Sequence, residues 1–447
     1  MRQIRVSTPV NRIPSESREI FWVTFLKSVC NAWKSRLWVE VRALQSLEVY
    51  GGLAESKYLS LLFITLLAFL SPSVVAVEAH TAVYVSKNPH GTNQVAAYLA
   101  DSSSGRLSLL GIFDTGGAGR PSVHGNSSHA LVSDGNLLFV VNSGDDSISS
   151  LRITSGGDLK LIGRYPSGGH VPVSLAVRGQ KLMVLNQGDL SNQTPGSLTA
   201  FNIASDGSLK MISGAYQEFS ADDLPVEVLA TSLDGWIGVS LHDAGIFEIF
   251  RLGEDGFQRV SWKQTVSPPY GGATLPSGAT GAMSPSLGNL FLITLDDKMR
   301  PGVATIQTSR SGRSYKYHRD KRINLVDPCW STVSPDGKRF WVSSFATRIL
   351  SLYRLGGRGR LTWISDTAPV TEGPGGLDIA QAPDGRHLYR LRAFDVLPPF
   401  SASQVFLDVF VATDTRLNAG LTYLESLALP SDWFDASPMG LVAVQVP

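Results

Sequence analysis

The 447-residue chain has a formal net charge of +1 and the composition of a folded, turn-rich protein. Hydrophobic residues make up 43% and charged residues 17%, beside 43 glycines and 24 prolines. A chain of this length and composition can bury a large core. The near-neutral charge argues against a nucleic-acid-binding surface, which requires a broad basic field. We therefore expect no nucleic-acid partner.

The N-terminal part of the chain carries an export signal in its residue pattern. Residues 1–57 show no repeat, and we expect an extension that is disordered or an artefact of the assigned start. An apolar run, Tyr58 to Leu70, then follows Lys57 and leads to Pro72 and small residues. This order is typical of a cleaved secretory signal, so we interpret 58–79 as a signal peptide of a secreted protein. The alternative is a membrane anchor, if the segment 58–77 stays uncleaved, although a span needs about 20 apolar residues.

The cysteine and asparagine positions agree with export. Cleavage after the apolar run would remove Cys30 and leave Cys329, so no internal disulfide would remain. A secreted protein of this size can be held by its core alone. Acceptor motifs for N-glycosylation begin at Asn126 and Asn192, in segments that we predict to be polar loops.

A four-strand pattern recurs along the chain from residue 80 onward. Its clearest copy is Asp327 to Leu355, in which the turn Pro335-Asp336-Gly337 separates aromatic and β-branched strands, and Leu361 to Ile364 supplies a fourth strand. The spacing between copies is roughly 50 residues, which is typical of propeller blades rather than helical repeats. The turn glycines that mark the copies are Gly135, Gly179, Gly235, Gly288, Gly337 and Gly385.

The two ends of the repeat region supply one further blade. Thr81 to Ser86 and Leu441 to Val446 both have the pattern of buried strands, and their pairing would remove the open edges of the ring. The sequence therefore predicts an all-β, seven-bladed β-propeller over 80–447, whose last blade is closed by the N- and C-terminal strands. We expect this propeller to be a monomer.

The blade sequences resemble a known family. The stretch Thr81 to Gly111, TAVYVSKNPHGTNQVAAYLADSSSGRLSLLG, together with the recurring unit S-P-D-G-K-R-F-W-V, is similar to the seven-bladed lactonase family, which includes 6-phosphogluconolactonases and carboxymuconate-lactonizing enzymes. The resemblance covers residues 81–393 and resumes at the C terminus. It implies hydrolysis or formation of a small sugar-acid or muconate-type lactone, with that lactone or sugar acid as the small-molecule partner.

The chain departs from the motifs to which the family's activity is attributed, which are His, Arg and Glu on inner strands and loops. Gly278-Ala279-Thr280-Gly281 stands where the family has Gly-Pro-Arg-His, and Leu295-Asp296 stands where it has Asn-Glu. The family's turn Asn-Arg-Gly is replaced by Ser344-Phe345-Ala346, and the His of one inner strand is displaced to His170. The resemblance therefore offers Asp296 and His170 as candidate catalytic residues.

The other candidates lie near the starts of inner strands. Glu227 and His242 complete the catalytic set, since a carboxylate with a burial-shifted pKa or a histidine beside Asp243 can transfer protons. The alternative for Glu227 is that its carboxylate hydrogen-bonds loop amides, and the alternative for His242 is that it lies in a surface loop. We expect these two alternatives. The candidate substrate-binding residues are Asp378, Arg348 and His129.

The sequence leaves two functions open. No spacing typical of a transition-metal site is present, and we expect neither a metal nor a cofactor. If the inherited chemistry persists, the protein is a secreted lactonase or a cycloisomerase. The alternative is a non-catalytic extracellular propeller that binds a ligand or a protein partner.

Overall fold

Most of the described residues lie in β-strands. The computed structural model describes residues 80–121, 129–230, 236–242, 244, 246–265, 277–283, 290–297, 302–308, 315–321, 328–356, 359–367, 373–394, 404–414, 419–433 and 436–446. The predicted extension, the predicted signal segment and Asn126 lie outside these residues.

The strands form seven four-stranded antiparallel sheets, which we call blades 1 to 7. Blade 1 contains β1 (His80–Ser86), β2 (Gly91–Ala100) and β3 (Leu107–Gly119), and blade 2 contains β4 (Leu131–Asp134), β5 (Leu137–Asn142), β6 (Ser147–Ile153) and β7 (Leu159–Pro166). Blade 3 contains β8 (Pro172–Arg178), β9 (Lys181–Asn186), β10 (Ser197–Ile203) and β11 (Leu209–Glu218). Blade 4 contains β12 (Pro225–Ala230), β13 (Trp236–Leu241), β14 (Ile246–Gly253) and β15 (Gly256–Thr265).

The remaining strands follow the same order. Blade 5 contains β16 (Ser277–Met283), β17 (Leu290–Asp297), β18 (Gly302–Thr308) and β19 (Tyr315–Lys321). Blade 6 contains β20 (Pro328–Val333), β21 (Arg339–Ser344), β22 (Leu350–Leu355) and β23 (Leu361–Asp366). Blade 7 contains β24 (Gly376–Gln381), β25 (His387–Arg392), β26 (Phe406–Asp414) and β27 (Ala419–Ala428), and β28 (Met439–Val446) belongs to blade 1.

The sheets are arranged as a ring, so the prediction of an all-β propeller is confirmed. The innermost strands β28, β4, β8, β12, β16, β20 and β24 contact one another in that order, and β24 contacts β28 again. The two terminal strands share blade 1, because β28 pairs with β1 over His80↔Val446 to Val85↔Leu441. This pairing was expected, and it leaves the β1 edge covered.

Apolar side chains fill the spaces between neighbouring blades. One cluster joins blades 3 and 4 and includes Met183, Leu198, Val239 and Phe250, all of them buried. Cys329 is likewise buried, at 2% exposure, in the cluster that joins blades 6, 7 and 1. The thiol therefore acts as a small core residue. No helix in the described ranges is both long and apolar enough to cross a bilayer.

Four of the seven innermost strands share a distortion at their first residues. Register irregularities occur between Pro172 and Ser174 in β8, and at the same place in β12, β20 and β24. A proline is tolerated at the first position of a strand, and a bulge there redirects the next side chains. Val171 precedes the β8 bulge with a φ of 56° and Leu224 precedes the β12 bulge with a φ of 47°. We call the face of the ring at which the innermost strands begin the upper face.

Candidate functional site

Three side chains from three blades converge at the upper face of the ring. His129 lies two residues before β4 of blade 2, Glu227 is the third residue of β12 in blade 4, and Asp378 is the third residue of β24 in blade 7. The His129 Nδ1 and Glu227 Oε1 atoms are 2.6 Å apart. The charge of Asp378 acts on the same imidazole. We call these three residues the channel cluster, because they lie where the innermost strands surround the central axis.

The backbone explains how His129 reaches the axis. Its φ is 61°, in the left-handed region that ordinary residues rarely adopt. Its carbonyl accepts a 2.9 Å hydrogen bond from the Leu175 N–H of the neighbouring innermost strand. Backbone strain of this kind persists where the surrounding structure fixes it, and it is common at functional positions.

Glu227 is held in the structure as a buried acid. Its side chain has 0% exposure, whereas 32% of the His129 side chain is exposed. The adjacent Val228 N–H donates to the Ser174 hydroxyl across 3.1 Å, which ties the β12 bulge to blade 3. A buried carboxylate is stable only with a partner, and the His129 imidazole supplies one. Glu227 therefore fixes the orientation of the imidazole.

The environment of His129 favours its protonated form. Burial alone lowers the pKa of the imidazole, but the hydrogen bond and charge of Glu227 and the charge of Asp378 outweigh it, so the pKa is raised. An imidazolium between two carboxylates can donate a proton to a bound molecule.

Asp378 has the opposite kind of perturbation. Burial raises the pKa of its carboxyl to about 6, against the lowering effects of His129 and of the N–H groups of Ile379, Gly440 and Leu441. The residue is 5% exposed, and its Oδ2 atom has no hydrogen-bond partner among the described residues. A carboxylate with a pKa close to neutrality is suited to general base catalysis.

Both predicted catalytic histidines lie outside this cluster. His170 is an exposed residue whose Nδ1 lies 2.7 Å from Asp146 Oδ2, and the other Asp146 oxygen accepts the Val171 N–H at 2.8 Å. This pair stabilises the loop before β8. His242 is only 6% exposed, so the expectation of a surface loop is wrong. The backbone N–H of His242 donates to the Leu224 carbonyl, so His242 lies against the loop before β12.

The remaining candidates are placed as follows. Asp296 lies in β17 opposite Gly278, and its side chain is outside the described atoms, as is Asp243. Arg348 has a φ of 59°, and its Nε donates to the Gly373 carbonyl at 2.9 Å. It therefore links loops of blades 6 and 7.

The glycosylation prediction remains untested. Asn192 is exposed at the end of the short 3₁₀ helix Leu190–Asn192, and its side-chain amide donates to Asp189 at 3.2 Å.

One sequence signal for the cluster was available but not used. Ser174, Glu227, Trp330 and Asp378 each stand two positions after the first residue of an innermost strand. Aligning the strands on that first residue places Glu227 and Asp378 at equivalent positions of their blades. Ser174 and Trp330 were missed for this reason, and both are buried at the corresponding level of blades 3 and 6.

A buried ion cluster in blade 7 was also missed. Asp408 accepts hydrogen bonds from Arg390 at 2.6 Å and from Arg392 at 2.8 Å, and all three residues are at most 3% exposed. The Arg390 guanidinium also donates to the Arg348 carbonyl at 2.6 Å. The only signal in the sequence for this ion cluster was the spacing of Arg390 and Arg392, which stand two positions apart on β25 and therefore share a face.

No group of three or more His, Cys, Asp or Glu side chains within the described ranges is arranged to hold a metal ion.

Comparison with known proteins supports the resemblance that the sequence predicts. Residues 75–218, about a third of the chain, match the family model described as Lactonase, 7-bladed beta-propeller. The predicted family resemblance is therefore confirmed over that part. No curated protein shows significant sequence similarity to the chain.

Solved structures share the fold at low sequence identity. The periplasmic gluconolactonase of Pseudomonas aeruginosa is 19% identical with a TM-score of 0.58, covering 83% of this chain and 99% of its own. A candidate 6-phosphogluconolactonase from Bacteroides fragilis is 15% identical with a TM-score of 0.58, over 83% and 99%. A hypothetical selenium-binding protein from Sulfolobus tokodaii is 10% identical with the same TM-score of 0.58, over 82% and 94%. At these identities the likeness concerns the fold alone.

Proposed function

We propose that the protein is an exported, seven-bladed, lactonase-like propeller that hydrolyses a small sugar-acid or muconate-type lactone at the channel cluster. The single observation that carries the proposal is the 2.6 Å contact between His129 Nδ1 and Glu227 Oε1, with Asp378 acting on the same imidazole. The family match over residues 75–218 supports the choice of lactones as the substrate class.

The protonation states of the cluster suit ester hydrolysis near neutral pH. Because the pKa of Asp378 is about 6, its carboxylate is mostly ionised at pH 7 and can still accept a proton. Because the pKa of His129 is raised above its ordinary value, its protonated form is favoured more than that of a free histidine. The cluster thus contains one base, Asp378, and one acid, His129.

The proposed reaction begins with a water molecule bound between Asp378 and the lactone carbonyl carbon. Asp378 takes a proton from this water, and the oxygen forms a bond to the carbonyl carbon. The oxyanion of the tetrahedral intermediate is stabilised by the His129 imidazolium. The ring C–O bond then breaks, and His129 gives its proton to the leaving alkoxide. Transfer of the proton from Asp378 to His129 through water restores the site, so the net reaction adds one water to the lactone and yields a hydroxy acid.

Glu227 acts through His129 in this scheme. It orients the imidazole by the Nδ1 contact and leaves Nε2 as the nitrogen that donates to the substrate. Its negative charge keeps the imidazole protonated until the ring opens. Glu227 is therefore a positioning residue rather than the acid or the base, in contrast to the catalytic role that we predicted for it.

The export part of the proposal rests on the sequence. The apolar run from Tyr58 to Leu70 with its flanking Lys57 and Pro72 has the pattern of a secretory signal. Expression of the full chain in a secreting host, followed by N-terminal sequencing of the protein in the medium, tests it. A mature N terminus close to residue 80 is expected, whereas retention of the intact chain in the membrane fraction would contradict cleavage.

The catalytic part is tested with two matched histidine substitutions in the full-length protein. His129→Gln should abolish hydrolysis of a panel of gluconolactones and muconolactones, after subtraction of the uncatalysed rate. His170→Gln removes a histidine that is also paired with a carboxylate at the upper face but lies outside the cluster, and it should leave the rate unchanged. Equal activity in both variants would contradict the role of the cluster.

The departures at Gly278-Ala279-Thr280-Gly281 favour a second candidate function. They remove arginine and histidine from a position where the family carries its catalytic side chains. A propeller that binds a lactone or sugar acid without turning it over would retain saturable binding of these compounds and show no hydrolysis of any of them.

A further inference from the structure

A small cavity lies between blades 7 and 1, away from the channel cluster. It has a volume of about 210 Å³ and is bordered by the turn between β24 and β25, by the first residues of β25 and by the ends of strands of blade 1. Because β24 begins at the upper face and ends at Gln381, this turn stands at the opposite face of the ring. We call the space the lower cavity.

Two buried side chains of β25 line the lower cavity. His387 and Tyr389 stand two positions apart, so they share a face of the strand, and they are 2% and 0% exposed. The His387 Nε2 atom and the Tyr389 hydroxyl have no hydrogen-bond partner among the described residues. Buried polar atoms are nearly always hydrogen-bonded, to the protein or to a bound molecule. Both atoms therefore require a partner, and a molecule in the lower cavity can supply it.

The His387 ring is covered on one face by the turn between β2 and β3. A Cβ atom built on Gly105 of this turn would lie 2.8 Å from Cγ of the ring and 2.9 Å from Nε2, and it would be closest to Cδ2. A group in line with Nε2 would be much farther from Cγ than from Nε2, so these distances place Gly105 over the ring face. The in-plane direction in which Nε2 forms hydrogen bonds is therefore not occupied by Gly105.

Asp384 fixes the proton of the His387 imidazole on Nδ1. Its Oδ2 lies 2.8 Å from Nδ1, and its Oδ1 accepts the Arg386 N–H at 2.7 Å. Burial raises the pKa of Asp384, but these hydrogen bonds and the charge of His387 outweigh it, so the pKa is lowered and the carboxylate stays ionised. A carboxylate only accepts hydrogen bonds, so Nδ1 carries the proton. Nε2 of the neutral ring is then an acceptor.

The Tyr389 hydroxyl is available as a donor. Burial and the charge of Asp384 raise the pKa of Tyr389, so its hydroxyl keeps the proton. A ligand carboxylate has no proton to donate to Nε2 and would be repelled by Asp384. A ligand ammonium group cannot accept from Tyr389. A hydroxyl group can donate to Nε2 and accept from Tyr389, so the two atoms together select an uncharged hydroxyl compound.

The rim and the size of the lower cavity agree with this choice. Its lining contains a carboxylate, a guanidinium, a hydroxyl and an amide, from Asp101, Arg386, Thr81 and Gln445. Groups of these four kinds all hydrogen-bond to hydroxyls, and the opposite charges favour neither cations nor anions. The volume exceeds the roughly 10–15 Å³ that one water needs and lies below the roughly 300 Å³ at which drug-sized sites begin. The space therefore accommodates a compound of a few carbon atoms.

We propose that the lower cavity binds a small uncharged polyol, with hydroxyl groups that donate to His387 Nε2 and accept from the Tyr389 hydroxyl. The site is distinct from the channel cluster and does not depend on the lactone hydrolysis proposed above. Asp384 acts through His387, because it holds the imidazole in the form that accepts at Nε2.

Saturation-transfer NMR titration of the full-length protein with erythritol, a four-carbon polyol, tests this proposal. We expect saturable binding, and much weaker binding of 1,2-dimethoxyethane, which has no hydroxyl to donate. Tyr389→Phe removes only the buried hydroxyl and should weaken erythritol binding about fivefold, since one hydrogen bond is lost. Tyr216→Phe removes an exposed hydroxyl of blade 3 and should bind like the wild type.

Four results would overturn the proposal. The first is a wild-type protein without saturable erythritol binding, which would mean that water alone fills the cavity. The second is equal binding of erythritol and 1,2-dimethoxyethane, and the third is an equal effect of Tyr389→Phe and Tyr216→Phe. The fourth is loss of binding in Glu227→Gln, which would place the ligand in the channel instead. Thermal unfolding of each variant establishes that it is folded before its titration is compared.

Discussion

His129 and Glu227 belong to different blades, and their side chains meet with Nδ1 and Oε1 2.6 Å apart at the axis of the ring. The innermost strand of blade 3, β8, lies between them. It contacts β4, which follows His129, and β12, which carries Glu227. This contact exists only when blades 2, 3 and 4 are assembled. The chemistry that we propose is therefore a property of the closed ring rather than of any one blade.

The first prediction concerns the influence of Glu227 on His129. Glu227→Gln keeps the side-chain size but removes the charge that raises the imidazole pKa, so we expect that pKa to fall. At pH 7 the donor form would then be depleted, and kcat/KM for lactone hydrolysis should decrease by about 100-fold, in the range found for general acid groups. NMR titration of the histidines and steady-state kinetics measure the two effects. Glu218→Gln, on an exposed outer strand, serves as the control and should change neither.

A second prediction concerns Asp378 and stability. Its pKa rises on folding from 3.8 to about 6, so between these pH values the native state binds more protons than the unfolded state, and stability falls as pH increases. Above pH 6 the ionised Asp378 carboxyl lowers the free energy of unfolding by the full amount, about 3 kcal/mol. Asp378→Asn should therefore be more stable than the wild type at pH 8 and gain nothing at pH 4.

Urea denaturation at the two pH values measures this difference. The exposed Asp114 supplies the control, because Asp114→Asn should show the same small effect at both. If the free energies of unfolding of Asp378→Asn and the wild type differed by the same amount from pH 4 to pH 8, the carboxyl would not be buried as described.

The buried ions of blade 7 give a third prediction. Asp408→Ala would leave the guanidinium groups of Arg390 and Arg392 buried without their carboxylate, and all three residues are at most 3% exposed in the native protein. Breaking a buried ion pair from one side typically destabilises by about 3–5 kcal/mol. Asp145→Ala removes the half-buried partner of the exposed Arg164 and should cost less than about 1 kcal/mol. Comparable shifts in the urea midpoint of the two variants would contradict this difference.

Closure of the ring gives a fourth prediction. Val444 and Gln445 are neighbours on β28, but Val444 is 8% exposed within the apolar cluster between blades 1 and 2, and Gln445 is exposed. Val444→Asp would bury an unpaired charge and should lower the melting temperature by many degrees or prevent folding. Gln445→Asp should shift it little. If both substitutions were tolerated equally, β28 would not be an integral strand of blade 1.

The strands were predictable because turn chemistry and period-two patterns are local. The turn at Pro335-Asp336-Gly337 was identified from its residues, and Gly337 has the positive φ, 66°, that such a turn requires. The predicted strand from Phe340 to Ser343 lies within β21, Arg339–Ser344.

The grouping of the channel cluster was not predictable in the same way. Glu227 and Asp378 could be placed at the starts of inner strands, but their relation to His129 depends on contacts between blades that are distant in sequence. His242 was misjudged because nothing local shows that its backbone bonds to Leu224 and is covered.

The pH dependence of kcat/KM for a stable lactone tests the central claim most directly. The account predicts a bell-shaped profile for the full-length protein, with a rising limb near pH 6 as Asp378 ionises and a falling limb above it as His129 loses its proton. In Asp378→Asn the remaining rate should be near background and the rising limb should be absent. A rising limb that persists in Asp378→Asn, or a wild-type protein without turnover on any lactone of the panel, would contradict the claim.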